Sequence, residues 1–200
     1  MSLSELKAIK HLQKDKVLAK IVSEDAKFKC WKGENLFEAI AKNIIGQQLS
    51  SIPAKIISGR FVTLFDRKRF PKPKEVLAMP DQKIRDCGLS WAKTRYIKCL
   101  SQAVVDKTLE PEKIKTLADE DVITELTKVK GIGRWTAEMI LIFHLQRPDI
   151  FSLGDLGLRT AVGKLYGVDR NDLKKIEKIS QKWRPYRSLA SRYLWRSLDN

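Results

Sequence analysis

Apolar side chains recur at helical spacing along most of the chain, and strict alternation of apolar and polar residues is nearly absent. In segment 35–45, Leu36, Ile40 and Ile44 would share one helix face, and Asn35 stands where an N-cap belongs. By the same reasoning, further helices are predicted over 1–34, from 51 onward, 81–87, 91–105, 119–127, 134–146, 156–166, 170–182 and 185–198. The sequence therefore predicts an all-α fold.

The composition is that of one folded domain. The 200 residues are 43% hydrophobic and include five tryptophans, which is enough apolar material for a core. We therefore predict a single domain over residues 1–200, which could consist of two small lobes that share a core. A monomer is expected, although composition does not determine the oligomeric state. No apolar run is long enough to span a membrane, and the first residues lack the pattern of a secretion signal. An intracellular protein with no membrane partner is expected.

The charge balance narrows the class of partner. Lysine and arginine number 39 against 24 aspartate and glutamate, a net charge of +15, and the isoelectric point is near 9.8. A surface this basic attracts phosphate through counterion release, so a nucleic acid is the favoured partner. Charge alone does not identify which nucleic acid or what is done to it.

A glycine turn separates two predicted helices and has the features of a phosphate site, the helix-hairpin-helix of about residues 119–146. Gly131 and Gly133 permit positive φ angles and leave backbone amides uncovered beside the start of the second helix. Lys128, Lys130 and Arg134 add positive charge at the same place. The alternative is an ordinary helix–helix turn, but the complete motif in a basic chain favours a clamp that binds DNA without sequence preference.

Five segments together resemble the helix-hairpin-helix (HhH-GPD) DNA glycosylase superfamily, and within it the 3-methyladenine DNA glycosylase II branch. They are the hairpin 126–137, the segment 151–158 around Asp155, and the segments 45–50, 88–96 and 183–190. The resemblance spans residues 36–198 in the order of the family. It implies a compact fold of two helical lobes with the active-site cleft between them. It also implies that the N-terminal β domain of larger relatives is absent here.

By this resemblance, Asp155, within segment 149–166, is the catalytic carboxylate that stabilises positive charge on the sugar as the base leaves. Its alternative role is the N-cap of the helix that follows. Trp135 and Trp195 match walls of the family's base pocket, and Met139 lies one turn beyond Trp135. Trp135 also occupies the position at which members that cut the strand have a Schiff-base lysine. The resemblance therefore implies a monofunctional enzyme that uses water.

The resemblance also assigns the contacts to DNA. Gln48 aligns with the side chain that fills the gap left by the flipped base, and Gln47 is its neighbour. The DNA-binding residues implied are Gln47, Gln48, Lys128, Lys130, Gly131, Gly133, Arg134 and Thr136. The expected partner is double-stranded DNA that contains alkylated bases.

No cofactor is expected to be required. A structural Na⁺ or K⁺ at the hairpin is implied by the resemblance alone, through the backbone carbonyls of Thr127, Val129 and Ile132. The iron–sulfur cluster of many relatives needs four cysteines near the C-terminus, whereas this chain has three cysteines, none of them after Cys99. No cluster is therefore expected. The scattered cysteines and two histidines also argue against disulfides and a zinc site.

Two other interpretations stay open. The hairpin also occurs in proteins that only hold DNA, and a glycosylase of the same superfamily could act on an oxidised or mismatched base. Asp155 and the matched tryptophans disfavour a catalytically silent module. The tryptophan at position 135 and the missing cluster disfavour the branches that act on other lesions. The lesion spectrum is not determined by the sequence.

Overall fold

The computed structural model describes residues 3–23, 35–65 and 69–198. Every regular element within these ranges is helical, which confirms the predicted all-α fold. The α-helices are α1 (Leu3–Leu12), α2 (Leu36–Gly46), α3 (Ser51–Thr63), α4 (Pro73–Ala78), α5 (Asp81–Asp86), α6 (Trp91–Val105), α7 (Pro111–Ile114), α8 (Asp119–Thr127), α9 (Arg134–Met139), α10 (Leu156–Tyr166), α11 (Leu173–Gln181) and α12 (Arg187–Arg196). Among the described helices, none is both long and apolar enough to cross a membrane.

The chain divides into two compact units. The terminal unit consists of residues 1–30 together with 141–200, and the central unit consists of residues 31–140. In the terminal unit, α1, α10, α11 and α12 share an apolar core in which Trp183 and Tyr193 are the largest buried side chains. In the central unit, α6 lies against both α2 and α4. The single domain and the cleft between two lobes stay predictions.

Local capping explains where several helices begin. The side chain of Asn35 accepts a hydrogen bond from the Glu38 amide at 2.9 Å, and that of Ser90 accepts one from the Lys93 amide at 3.2 Å. Each bond satisfies one of the amides that a helix start leaves without a partner. The predicted starts of α2 and α6 are thereby confirmed.

The single helix predicted over the first 34 residues is wrong. The helix α1 ends at Leu12, a short 3₁₀ turn follows at Leu18–Lys20, and residues 24–34 lie outside the described ranges. The break has a local cause, because the Asp15 carboxylate accepts hydrogen bonds from the amides of Val17 and Leu18 at 3.0 and 3.2 Å. Aspartate competes in this way with the helical hydrogen-bond pattern.

Several other helix boundaries also differ from the prediction, among them those of α12, which was predicted over 185–198 and runs from Arg187 to Arg196. The helix predicted over 134–146 is α-helical only to Met139 and continues as a π-helical turn at Ile140–His144. The helix predicted from 170 begins at Leu173, because Asp172 caps it while Asp169 accepts from the Asn171 amide in a preceding turn. In α3, Phe61 is buried but Ile56 is half-exposed.

Candidate functional site

The hairpin between α8 and α9 lies in the central unit and contains one glycine with a left-handed backbone. Gly131 has a φ of +95°, in the left-handed region that glycine adopts freely. A Cβ added at Gly131 would lie 2.6 Å from the Cβ of Tyr96 and closer still to its ring. Gly133 instead has a φ of −91° as the N-cap of α9, with open space around it. The positive φ that glycine permits is therefore adopted at Gly131 but not at Gly133.

The basic residues of the hairpin have unequal surroundings. Lys130 is exposed, and the ammonium of Lys128 lies 2.6 Å from a carboxylate oxygen of Glu125. The Arg134 guanidinium makes a two-pronged ion pair with Glu120, at 2.8 and 3.1 Å, and a third bond with Glu138 at 3.0 Å. The hydrogen bond from Arg134 lowers the pKa of Glu120. Arg134 therefore braces the starts of α8 and α9 in this structure.

The loop that follows α2 is joined to the hairpin by one side chain. The amide nitrogen of Gln47 donates to the carbonyl of Gly131 at 3.1 Å and to the hydroxyl of Thr136 at 3.3 Å. Thr136 is buried, and its hydroxyl accepts this hydrogen bond inside the protein. Gln48, the next residue, has a left-handed backbone with a φ of +58°. Segments 84 residues apart are thus brought together.

A surface pocket of about 560 Å³ marks this junction in the central unit. It is lined by Gln47, Gln48, Ser90, Ala92, Lys93, Tyr96, Gly131, Ile132 and Gly133. Lys93 and Tyr96 come from α6, where the sequence analysis assigned no site residue. The ammonium of Lys93 donates to the carbonyls of Ile45 and Gln47, and burial lowers its pKa. Two local signals pointed to this segment: it lies within residues 88–96, which carry part of the family resemblance, and Lys93 stands in the first turn of a helix, the less favourable end for a cation.

Asp155 lies in the terminal unit, at the start of α10. Its Oδ1 accepts a hydrogen bond from the Leu158 amide at 2.7 Å and another from the Trp195 indole nitrogen at 3.0 Å. The first bond is the N-cap role that the sequence left open. The second bond joins residues 40 apart and fixes the orientation of the carboxylate. A capping carboxylate held by an indole can still face a developing cation, so the two roles are compatible.

The tryptophans predicted as pocket walls occupy different units. Trp195 stacks on Phe143, with ring centroids 5.6 Å apart, and the Arg192 guanidinium lies 5.2 Å from the Phe143 ring. Trp135 belongs to the central unit and is 42% exposed. A base pocket that combines Trp135 with Trp195 and Asp155 stays a prediction. Neither Phe143 nor Arg192 was identified from the sequence, because nothing local distinguishes them.

Met139, the third predicted pocket residue, is only 4% exposed. A bound base would contact the Met139 side chain only by reaching below the protein surface. The role of Met139 stays a prediction. In the part of the chain that the structure describes, no group of three histidine, cysteine, aspartate or glutamate side chains could hold a metal ion.

A helical fold with a glycine hairpin, a loop hydrogen-bonded to that hairpin and an aspartate at a helix start is typical of the helix-hairpin-helix DNA repair proteins. The comparison with protein families agrees with this class. The family described as HhH-GPD superfamily base excision DNA repair protein matches residues 41–185. The chain belongs to this superfamily.

Individual relatives support the same assignment. The chain is 32% identical over 184 residues to DNA-3-methyladenine glycosylase 1 of Schizosaccharomyces pombe, covering 91% of this chain and 81% of the relative. It is 34% identical over 171 residues to YfjP of Bacillus subtilis, covering 82% of this chain but only 60% of that protein. The solved S. pombe enzyme Mag1, in complex with abasic DNA, superposes with a TM-score of 0.87 at 31% identity, covering 97% of both chains.

Proposed function

We propose that this chain is a monofunctional DNA glycosylase that releases alkylated purines, 3-methyladenine foremost, from double-stranded DNA and leaves an abasic site. The observation that carries the proposal is the Asp155 carboxylate, held on one oxygen by the Leu158 amide and the Trp195 indole. The S. pombe relative is named a DNA-3-methyladenine glycosylase, and its similarity extends over most of this chain. Phosphate contacts at the hairpin would hold the duplex.

The chemistry needs one fixed negative charge. When the bond between sugar and base breaks, the base leaves with the bonding electrons, and positive charge develops on the sugar ring. The Asp155 carboxylate stabilises that charge. A water molecule adds to C1′ of the sugar, the carbon that lost the base, and its proton passes to the surrounding water. A purine alkylated at N3 or N7 is already cationic and leaves as a neutral base. No general acid is then required.

Aromatic faces suit such a cationic base. A positive ring stacked on an indole gains about 1–2 kcal/mol when water is excluded. Trp135, exposed in the central unit, and Trp195, stacked on Phe143, are the candidate faces. Position 135 is a tryptophan where strand-cutting relatives have lysine, so a covalent intermediate with the sugar is not expected. Water is the proposed nucleophile.

We further propose that the enzyme acts as a monomer, in the compartment that holds the DNA, without a required cofactor. An alkali cation at the hairpin would be held by the carbonyls of Thr127, Val129 and Ile132. The Thr127 carbonyl lies in the last turn of α8, where helix carbonyls lack the next helical amide, and oxygen donors of this kind suit a hard cation. The Val129 carbonyl also accepts from the Ile132 amide at 3.0 Å.

The test of the proposal is base release by Asp155→Asn. Methylated duplex DNA is incubated with each protein, the freed bases are separated by chromatography, and strand integrity is followed on a gel. The parent should release free 3-methyladenine from an unbroken strand. Asparagine still caps a helix but carries no charge, so we expect base release to slow at least about 100-fold with DNA binding retained.

The chain offers a matched control for this substitution. Asp172 caps α11 through the Lys175 amide at 3.1 Å, as Asp155 caps α10 through Leu158. The variant Asp172→Asn should release base at the parent's rate. Equal rates for Asp155→Asn and the parent would refute the catalytic assignment of Asp155. A folded parent that binds DNA but frees no alkylated base would favour a silent binding module or another lesion.

A further inference from the structure

The turn after α2 is held in place by a lysine from a distant helix. The Lys93 ammonium donates to the carbonyl of Ile45 at 2.9 Å and to that of Gln47 at 2.6 Å. These carbonyls flank Gly46, the last residue of α2, where helix carbonyls have lost their helical partners. A cation is favoured at this end of the helix dipole. Lys93 therefore makes its stabilising contacts with α2 rather than with its own helix.

The backbone that Lys93 fixes is a strained one. Gln48 has a φ of +58°, and a residue other than glycine adopts this conformation only when its surroundings enforce it. In this structure, both the backbone carbonyl and the side chain of Gln47 are held by hydrogen bonds. Lys93 binds its carbonyl, while the Gln47 side chain is bound to the Gly131 carbonyl and the Thr136 hydroxyl. Gln48 is thus presented beside the hairpin with little freedom.

We propose that Lys93 is a positioning residue for base flipping: it holds the turn after α2 so that the Gln48 side chain enters the gap that the flipped nucleotide leaves. This inference rests on the proposed function, because it assumes that the duplex is opened at this loop. A Gln48 side chain whose backbone is already ordered loses less conformational entropy when it enters the duplex. Loss of Lys93 should therefore impair insertion while the hairpin still binds DNA.

The same helix supplies a matched control. The Lys98 ammonium, also on α6, donates to the carbonyls of Leu77 and Met79 at 2.9 and 2.6 Å, at the end of α4. It also pairs with Asp81. Lys93→Met and Lys98→Met each remove a lysine that binds two carbonyls at a helix end. Both should lower the Tm, but only Lys93→Met removes contacts with the turn after α2 that carries Gln47 and Gln48.

The first measurement is insertion without chemistry. Each protein is titrated into a duplex that contains an abasic-site analogue beside 2-aminopurine, whose fluorescence rises when its stacking is disturbed. At saturating protein, Lys93→Met should lose most of the rise seen with the parent, and Lys98→Met should retain it. Gln48→Ala should show the same loss, and adding Lys93→Met to it should change nothing more, because the two act as a unit.

The second measurement compares base release from a paired and from a mismatched alkylated purine. Opening the duplex costs least when the base is already unpaired. Lys93→Met should slow release about tenfold from the paired site and less than about twofold from the mismatched site. A purely structural defect would slow both equally. If Lys93→Met is too unstable to assay, Lys93→Gln keeps an N–H donor and should show a smaller form of the same difference.

The outcomes separate the two proposals. A fluorescence rise in Lys93→Met equal to that of the parent, or equal slowing at both sites, overturns the role of Lys93. A comparable loss of the rise in Lys98→Met also overturns it. Failure of the parent to release any alkylated base would refute the proposed function instead, and the fluorescence comparison would still decide the role of Lys93.

Discussion

The packing of Gly131 against Tyr96 makes Gly131→Ala a sharp test of the hairpin geometry. The change adds a single methyl group at a φ of +95°, where an L side chain is strained, and places it 2.6 Å from the Cβ of Tyr96. A left-handed conformation costs a residue other than glycine about 1–2 kcal/mol, and overpacking in a filled site adds about 1–3 kcal/mol. We expect the free energy of unfolding to fall by about 2–5 kcal/mol.

Gly133→Ala is the matched control for this substitution. Gly133 has an extended backbone and nothing within 4 Å of an added Cβ. The control should change the free energy of unfolding by less than about 1 kcal/mol, since alanine is only a poorer N-cap than glycine. Urea unfolding followed by tryptophan fluorescence measures both values.

Combining Gly131→Ala with Tyr96→Ala tests whether the Cβ or the ring of Tyr96 causes the clash. The Cβ that alanine retains at position 96 would still lie 2.6 Å from the added methyl group after the ring is removed, so Tyr96→Ala should not fully restore the stability lost in Gly131→Ala. The reasoning is refuted if Gly131→Ala unfolds at the same urea concentration as the parent. It is equally refuted if Tyr96→Ala fully restores the stability of Gly131→Ala, because the ring would then be the only obstacle. DNA affinity should fall with stability in Gly131→Ala, since the hairpin amides would be displaced.

Two further predictions concern charge. Lys130→Met should reduce the slope of log DNA affinity against log salt concentration by about 1. Arg134→Met should leave that slope nearly unchanged, because Arg134 already pairs with Glu120 and Glu138. Equal slopes in the two variants would show that Arg134 contacts a phosphate. Burial alone would raise the pKa of Asp15, but hydrogen bonds from Tyr166, two backbone amides and Trp183 outweigh it and lower that pKa. Because this pKa is lower in the folded than in the unfolded protein, the ionised carboxylate stabilises the folded state above the unfolded-state pKa, and the effect is lost as the pH falls through the folded-state pKa. The parent should therefore lose more free energy of unfolding than Asp15→Asn between about pH 7 and about pH 3. Identical losses in urea unfolding would contradict the assigned pKa shift.

Much of the helical framework could be predicted because its causes are local. The apolar spacing in α2, α8 and α10, and the caps Asn35, Ser90 and Asp155, depend on residues within a turn or two of one another. The same local logic failed in the N-terminal segment, where the Asp15 carboxylate took up two backbone amides and ended the helical pattern. The spacing of apolar residues does not indicate when a side chain will compete for backbone amides.

The family motif placed the hairpin and Asp155, but it could not show how they are held. The contact of Lys93 with Ile45 spans 48 residues, that of Gln47 with Gly131 spans 84, and that of Trp195 with Asp155 spans 40. No periodicity connects positions so far apart, because only the packing of helices brings them within hydrogen-bond distance. The sequence by itself therefore determined the elements and the candidate residues. The tertiary structure decided which side chains contact one another, and so which of them position the site.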